Sequence, residues 1–393
     1  MDELKILALG DYFYSESNKN SKLFSGIKNL ISKNDLIISN LEGPITSKKN
    51  SSVIKAGKVL KQSDRSIQIL KKNGVNLVSL ANNHIFDYGD EGVKNTIEVC
   101  KNEHLKFLGI NQKEKDAYKI NVIKINNFKI GIFALTEYST YLNDYSFVTP
   151  NFTDIRVEKE IKEKAKELDF IILYIHAGVE NVPFPIKKIR NRYRKLIESG
   201  ADIIFGNHTH VPQGWEKYKN GYIFYSLGNL FFHNNRNQYS IAVSAIFQKS
   251  KIKSVNWHIL KNNNCKIFIC DDKKYYNYLI KINKILNDDK LYKKFSNLQS
   301  LWIFDEVYNK FFYDYTCSIY KEDNIFIKIK KFVKKLFNYK SKRYNKDINI
   351  LHLFEEESHR WLIEEALRLR ISNYDTKEMK LFIDILKEGR INE

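Results

Sequence analysis

The sequence is poor in cysteine, proline and methionine, with 4, 5 and 2 of them in 393 residues. Cys100, Cys265, Cys270 and Cys317 form no CxxC pair and no metal-ligand spacing. They are too few for a disulfide scaffold, so free thiols in a reducing compartment are expected. All five prolines fall between Pro44 and Pro212, and of the 16 glycines only Gly389 lies beyond Gly228. Turn chemistry therefore stops near residue 230. No apolar run reaches the roughly 18 residues of a membrane span. The opening MDELKILALGD has no basic n-region, longer h-region or small-residue cleavage site. The expectation is a cytoplasmic protein with neither signal peptide nor transmembrane segment. The sequence also has no P-loop, nucleophile elbow or dinucleotide fingerprint.

What is present is a globular composition, 43% hydrophobic, with a net charge of +19. Lysine dominates alongside Ile, Asn and Tyr, and no nucleic-acid reading motif accompanies the charge, so no nucleic-acid partner is expected. Up to residue 260, apolar runs alternate with amphipathic stretches. Strands are expected at 4–9, 36–39, 76–80, 120–125, 130–135, 170–175, 203–205, 222–225, 239–247 and 255–260. Helices are expected at 64–72, 91–103, 157–167 and 186–198, and Asn126 with Asn127 marks a hairpin. The alternation predicts an α/β fold over residues 1–262, followed by a mainly helical, Lys/Tyr/Phe-rich region over 263–393.

Several of these strands end in a residue suited to a metal ion. Asp11 follows the first, Glu42 the second, Asn83 and His84 the third, His176 the sixth, and His208 with His210 the seventh. Each taken alone also fits a structural duty: Asp11 capping a turn, Glu42 as a solvated charge, Asn83 supporting the bend in LANNH, His176 as a satisfied histidine before Gly178. Five such endings together predict a convergent ring of carboxylate, amide and imidazole at the strand ends. His208 and His210, two residues apart, share one face of an extended backbone, and Gly206 with Pro212 predicts a turn at 207–210. The ligand types suit borderline or hard divalent ions, one or two of Mn, Fe or Zn, and the absence of cysteine from this set argues against a soft or purely structural site.

The motifs GDYFY at Gly10, NLEGPIT at Asn40, LANNHIFDYGDEG at Leu80, IHAGVE at Ile175, GADIIFGNHTH at Gly200 and YSLGN at Tyr225 resemble, in that order, the CapA-type capsule synthesis proteins. Those proteins are associated with poly-γ-glutamate capsules and look like relatives of calcineurin-like metallophosphatases. The resemblance covers residues 4 to 260 and implies a four-layer α/β/β/α sandwich with a two-metal site. It makes Asp11 and His210 ligands of the first metal, Glu42 the bridging carboxylate, and Asn83, His176 and His208 ligands of the second. His84 becomes the general acid or the group that stabilises the leaving oxygen, oriented by Asp87. Two departures stand out. Tyr12 and Phe13 follow Asp11 where such phosphatases carry Asp-x-His, and Glu42 stands where they carry Asp. The first metal thus lacks one imidazole, which leaves one ion or two open.

Glu180, Ser226 and Asn229 are candidate substrate-binding residues around this ring. Arg190, Arg192 and Arg194 are read as a solvated helix face in preference to a contact with an anionic substrate, and His104, His233, His258, His352 and His359 receive no role. From Phe326 to Lys346 there are nine basic residues and no acid. Segment 325–346 is read as a helix packed on the fold, or as a contact with an anionic membrane surface that would place the protein on the inner membrane face. LFEEESHRWLIEEALRLR at 353–370 reads as a packing helix or an oligomer contact. Two functions are expected from these residues: a metal-dependent, phosphoesterase-like hydrolase acting on an anionic or polymeric cell-envelope substrate, or a non-catalytic component of a capsule polymer synthesis complex.

Overall fold

The computed structural model describes residues 2–15, 22–46, 52–138, 144–233, 237–249, 251–263, 266–309 and 347–389. Fourteen strands, numbered in chain order, form two sheets among these residues: β1 (Glu3–Phe13), β2 (Leu36–Leu41), β3 (Leu77–Ser79), β4 (Lys106–Leu108), β5 (Asn121–Ile125), β6 (Phe128–Thr136), β7 (Phe170–His176), β8 (Ile203–Asn207), β9 (Trp215–Tyr218), β10 (Gly221–Phe224), β11 (Asn229–Phe232), β12 (Tyr239–Gln248), β13 (Lys251–Asn262) and β14 (Ile267–Ile269). The first sheet runs β14-β13-β12-β1-β2-β3-β4, with β11 paired to β1, and the second runs β5-β6-β7-β8-β10-β9. Pairing is parallel through β1-β2-β3-β4 and through β6-β7-β8-β10. Parallel strands return through helices: α1 (Lys28–Ile31), α2 (Arg65–Lys72) and α3 (Gly89–Asn102) on the first half, α5 (Ile155–Lys164) and α6 (Lys187–Glu198) on the second, while α4 (Glu114–Ala117) lies on the crossing from β4 to β5.

The period-2 alternation of side chains decides which layer each strand residue joins. In β1, Leu4, Ile6 and Ala8 face the second sheet and share a core with Ile172, Ile203, Phe205, Val243 and Phe247. Leu7 and Leu9 point the other way and pack with Ile67 and Leu70 of α2 and Val93 and Cys100 of α3. β2 and β3 divide in the same manner, Ile38 and Leu77 inward, Ile37 and Val78 outward. The outer face of the second sheet is covered by Val157 and Ile161 of α5 and by Ile189, Tyr193 and Leu196 of α6. The result is the four-layer helix, sheet, sheet, helix arrangement. Burying one Leu or Ile contributes about 1.5–3 kcal/mol, so both cores outweigh any single polar contact below.

Past residue 262, β14 still pairs with β13, and helices begin at α7 (Lys273–Asn287) and α8 (Asp289–Ile303). They join the same core through Tyr275, stacked 3.9 Å from Tyr239, and through Gln299, whose amide bonds Phe184 in both directions. The chain then runs helically over 347–355, bends at Glu356 and continues as α9 (Glu357–Ile371) and α10 (Met379–Gly389). The 353–370 stretch is therefore two helical pieces with a break at Glu356, where the sequence suggested one. Phe152 and Trp361 pack edge to face at 6.4 Å, seating α9 against the second sheet's helices. The basic 325–346 segment, Cys265 and Cys317 lie outside the described residues. Among the described residues no helix is long and apolar enough to cross a membrane.

Candidate functional site

The carboxyl ends of β1, β2, β3, β7 and β8 meet at one edge of the two sheets, where open α/β sheets carry their chemistry. Two glycines let the backbones approach. A Cβ on Gly10 would lie 1.8 Å from the Gly228 carbonyl oxygen, and one on Gly206 would lie 2.0 Å from that of Tyr225. Asp11 sits inside β1, at a bulge between Asp11 and Tyr12, and not after the strand as the pattern suggested. The turn after β8 places His208 at φ 88° and His210 at φ 62°, left-handed angles that non-glycine residues rarely hold. Such strain persists where the surroundings over-determine it. It turns both imidazoles toward the same cleft.

Two ligand groups result. In the first, Asp11, Glu42 and His210 each bring a ligand atom within 4.8 Å of the others. In the second, His176 Nε2 lies 3.0 Å from Asn83 Oδ1 and 3.1 Å from His208 Nδ1. The Asp11 carboxylate stands between them, its Oδ1 3.3 Å from His176 Nδ1. Asp11 and Glu42 are fully buried, and neither Glu42 oxygen has a hydrogen-bond partner. A buried unpaired carboxylate is costly unless a cation or proton joins it. These donors fit a divalent ion.

Electrostatics follow from that burial. Burial and then the Asp11 charge push the Glu42 carboxyl well above its ordinary range. Burial would also raise Asp11, but the His176 charge and hydrogen bonds from His176 and the His208 N–H hold it low. Burial and His176 press His208 well below the usual imidazole value, so it is neutral and able to ligate. His210 goes the other way: against burial, Glu180, Glu42 and Asp11 carry it up to about 10.

At the rim, His84 Nδ1 lies 2.7 Å from Asp87 Oδ2 and its Nε2 3.9 Å from Glu42 Oε1. Asp87 is held in turn by Lys55 Nζ at 2.8 Å and by the Leu60 N–H at 2.6 Å. Glu180 Oε1 stands 3.7 Å from His210 Nε2 and is half exposed. Asn229 Oδ1 meets His210 Nδ1 at 3.0 Å, orienting that ring, while Ser226 Oγ accepts from Gly228 N within the turn. Phe13, at the position where an imidazole is missing, packs on Phe232 at 4.8 Å.

Sequence reasoning missed several residues. Asn40 Nδ2 donates to Asp11 Oδ1 at 2.7 Å and sits 3.1 Å from His176 Nδ1; it lies in the same NLEGP motif as Glu42. Glu137, just past β6, accepts from Gly178 N at 2.9 Å and lies 3.7 Å from His208 Nε2. An acid directly after an apolar strand is the signal that would have found it. Burial, reinforced by Glu356, pushes Glu137 up to about 8. Lys55 carries no such signal. Two readings need correction. Arg190 and Arg194 are not a solvated face: Arg190 is buried and pairs with Glu216 at 3.2 Å and Asp289 at 2.9 Å, and Arg194 pairs with Glu216 at 2.6 Å. Arg192 joins the buried Glu158. His352 and His359 do have converging neighbours, grouped around Glu356.

The chain is similar in sequence to capsule biosynthesis proteins. Capsule biosynthesis protein CapA of Bacillus anthracis is 28% identical over 219 residues, 53% of this chain and 53% of that protein. PGA biosynthesis protein CapA of Bacillus subtilis (strain 168) is 30% identical over 223 residues, 56% of this chain and 58% of that one. The chain thus spans little more than half the length of these curated relatives. Among solved structures, a novel phosphatase from Mycoplasma pneumoniae aligns at 19% identity over 67% of this chain and 95% of that chain, with a TM-score of 0.44. The 5'-nucleotidase of Candida albicans SC5314 aligns at 12% identity over 74% and 56%, with a TM-score of 0.42. The model of the bacterial capsule synthesis protein family PGA_cap matches residues 5–234, more than half of the chain and every candidate ligand named above, and the chain belongs to that family.

Proposed function

We propose that this chain is a metal-dependent hydrolase of the phosphoesterase type, acting in the synthesis of a capsule or exopolymer. The observation that carries the reading is the pair of facing ligand groups, Asp11–Glu42–His210 and Asn83–His176–His208, with both oxygens of the buried Glu42 carboxylate lacking a hydrogen bond. One or two divalent ions of the Mn, Fe or Zn type would be held there, and when bound they supply Lewis-acid polarisation and a water of lowered pKa. The chain's own residues do the rest. Asn40 and the His208 N–H fix the Asp11 carboxylate; Asn229 fixes His210; Asp87 and Lys55 set the His84 ring so that Nε2 faces the cleft. Burial and the Lys55 charge lower the His84 pKa, which makes it a stronger acid once protonated, suited to giving a proton at Nε2 to a leaving oxygen.

Hydrolysis of a generic phosphodiester and phosphomonoester, with bound metal measured in parallel and with and without added Mn, tests the assignment in wild type and His208→Ala. A γ-glutamyl amide runs beside them, because the relatives are named for PGA and capsule biosynthesis. Wild-type protein that binds no metal, or activity unchanged in the variant, removes the enzymatic reading. A second reading, a non-catalytic component of a polymer synthesis complex, is favoured by Phe13, which fills the place of an imidazole in the first group. Metal binding without turnover of any of the three substrates selects it. The cytoplasmic placement and the membrane contact of 325–346 belong to the same proposal. Loss of anionic-vesicle binding on Lys331, Lys334 and Lys335 to Glu supports the contact; wild type that does not sediment with the vesicles rejects it.

A further inference from the structure

Beyond residue 234, where the family match ends, the chain brings a separate set of ligand-type side chains to the edge of the cleft. His352, Glu356 and His359 are spaced i, i+4 and i+7, which on an unbroken helix is one stripe. The chain breaks at Glu356, whose backbone is extended at φ −70°, ψ 125°. Across the break the three side chains still converge. His352 Nδ1 lies 3.3 Å from Glu356 Oε1, and His359 Nε2 lies 3.1 Å from Glu356 Oε2. The two imidazole rings are 4.9 Å apart, and one ligand atom from each residue falls within 4.8 Å of the others. Two ligands on a tetrahedral zinc-type ion with bonds of 2.0–2.1 Å lie about 3.3 Å apart, close to the two imidazole–carboxylate distances here.

Three further observations point to a ligand. The Tyr308 hydroxyl is hydrogen-bonded to His359 Nδ1, which leaves Nε2 as the nitrogen facing the group. That is how outer groups fix the rings of metal-binding histidines. Glu356 is buried at 2% exposure, and it lies within 4.8 Å of a second buried carboxylate, Glu137, with His208 in the same group. Two buried carboxylates at that separation repel unless a cation or a proton sits between them. Finally, His208 Nε2 is buried, points toward Glu137 and has no hydrogen-bond partner.

We propose that His352, Glu356 and His359 form a binding site for a borderline divalent cation of the zinc type, separate from the two groups in the cleft. Two imidazoles and one carboxylate select zinc-type ions over Mg²⁺ and Ca²⁺, which take oxygen ligands. Glu137 connects the site to the rest of the molecule: its Oε2 accepts from Ser358 N at the start of α9, and its Oε1 faces His208. A bound ion would tie the 347–355 helical piece to α9, while Glu137 holds the start of α9 against the strand ends that carry His176 and His208. The site depends only on these side chains and stands whether or not the cleft turns over a substrate.

The test uses the full chain, stripped of metal with a chelator and titrated with Zn²⁺ alone. Bound zinc is counted after gel filtration in wild type, His352→Ala, His176→Ala and the double variant. The expected result is one zinc per chain fewer in His352→Ala than in wild type, and the same further loss when His352→Ala is added to His176→Ala. His352 is partly exposed, so its truncation leaves the fold in place, and circular dichroism checks this. A measurement on wild type alone covers the case of a misfolded variant: Zn²⁺ should protect His352 from modification by diethyl pyrocarbonate, mapped by mass spectrometry. Equal zinc content in folded wild type and His352→Ala, or no protection of His352 by saturating Zn²⁺, overturns the proposal and leaves a metal-free histidine–carboxylate network.

Discussion

Glu42→Gln separates the two faces of a buried metal-site carboxylate, because it should stabilise the metal-stripped protein and weaken the metal-loaded one. In the stripped protein, Glu42 is fully buried with both oxygens unpartnered, and burial and Asp11 raise its pKa well above 4.5. A carboxyl raised on folding contributes stability that is fully present below the unfolded value and is lost as the pH climbs toward the folded one. At any pH the loss cannot exceed about 1.36 kcal/mol for each unit above the unfolded value, whatever the folded value is. Between 4.5 and pH 7, at 1.36 kcal/mol per unit, that ceiling is ~3.4 kcal/mol. Gln is neutral throughout and avoids it. Stripped Glu42→Gln should therefore exceed wild type by up to about 3 kcal/mol at pH 7, with the difference closing by pH 4.5. Adding Mn²⁺ at a hundred times its Kd should add about 2.7 kcal/mol to wild type and far less to the variant, whose amide is a poor ligand. Urea unfolding followed by tryptophan fluorescence, at both pH values and with and without Mn²⁺, reads all four quantities. The reasoning is refuted if the stripped variant is the less stable at pH 7, or if Mn²⁺ stabilises both proteins equally.

Further expectations follow from other contacts. Asp87→Asn replaces the anionic acceptor that orients His84 by a neutral amide and removes the charge partner of Lys55; in metal-loaded protein the hydrolysis rate should fall about 10–100-fold with metal content retained, as metal analysis and kinetics together would show. Gly206→Ala would press a Cβ to 2.0 Å from the Tyr225 carbonyl oxygen, and since backbone cannot swing aside, a loss of about 3 kcal/mol or more in urea unfolding is expected. Glu216→Gln leaves the buried Arg190 and its neighbour Arg194 short of a counter-charge, costing about 3 kcal/mol in the same assay. Burial raises the Asp202 pKa from 3.8 to about 6, so its contribution is present below pH 3.8 and lost through pH 6; Asp202→Asn should gain on wild type by about 2–3 kcal/mol between pH 4 and 7.5. A pH-independent difference would contradict that burial.

How much was legible in the chain varies by element. The strands at β1, β2, β3, β6, β7, β8, β10 and β12 announce themselves, because a strand buried on both faces is a continuous apolar run, whereas β5 and β13, largely unburied, are legible from their β-branched and aromatic residues. Four strands do not. β4, β9, β11 and β14 span only 3 or 4 residues each, and exist because a neighbouring strand offers its edge. Arg190 looked solvated because its charge is what a sequence displays, whereas its burial depends on Glu216, 26 residues away, supplying the counter-charge.

By itself the sequence determined the alternation that gives two sheets and their helices, and the placing of Asp11, Glu42, Asn83, His176, His208 and His210 near strand ends. Both are local properties, carried by side-chain period and by the residue that follows an apolar run. Only the tertiary structure decided which nitrogen of each imidazole faces which partner, that Asn40, Lys55 and Glu137 support the ligands, and that His352, Glu356 and His359 return to the same edge of the fold. The reason is physical: a hydrogen bond of 3 Å requires a register between elements that lie up to 221 residues apart, as Ser358 and Glu137 do, and that register is set by packing of the two cores.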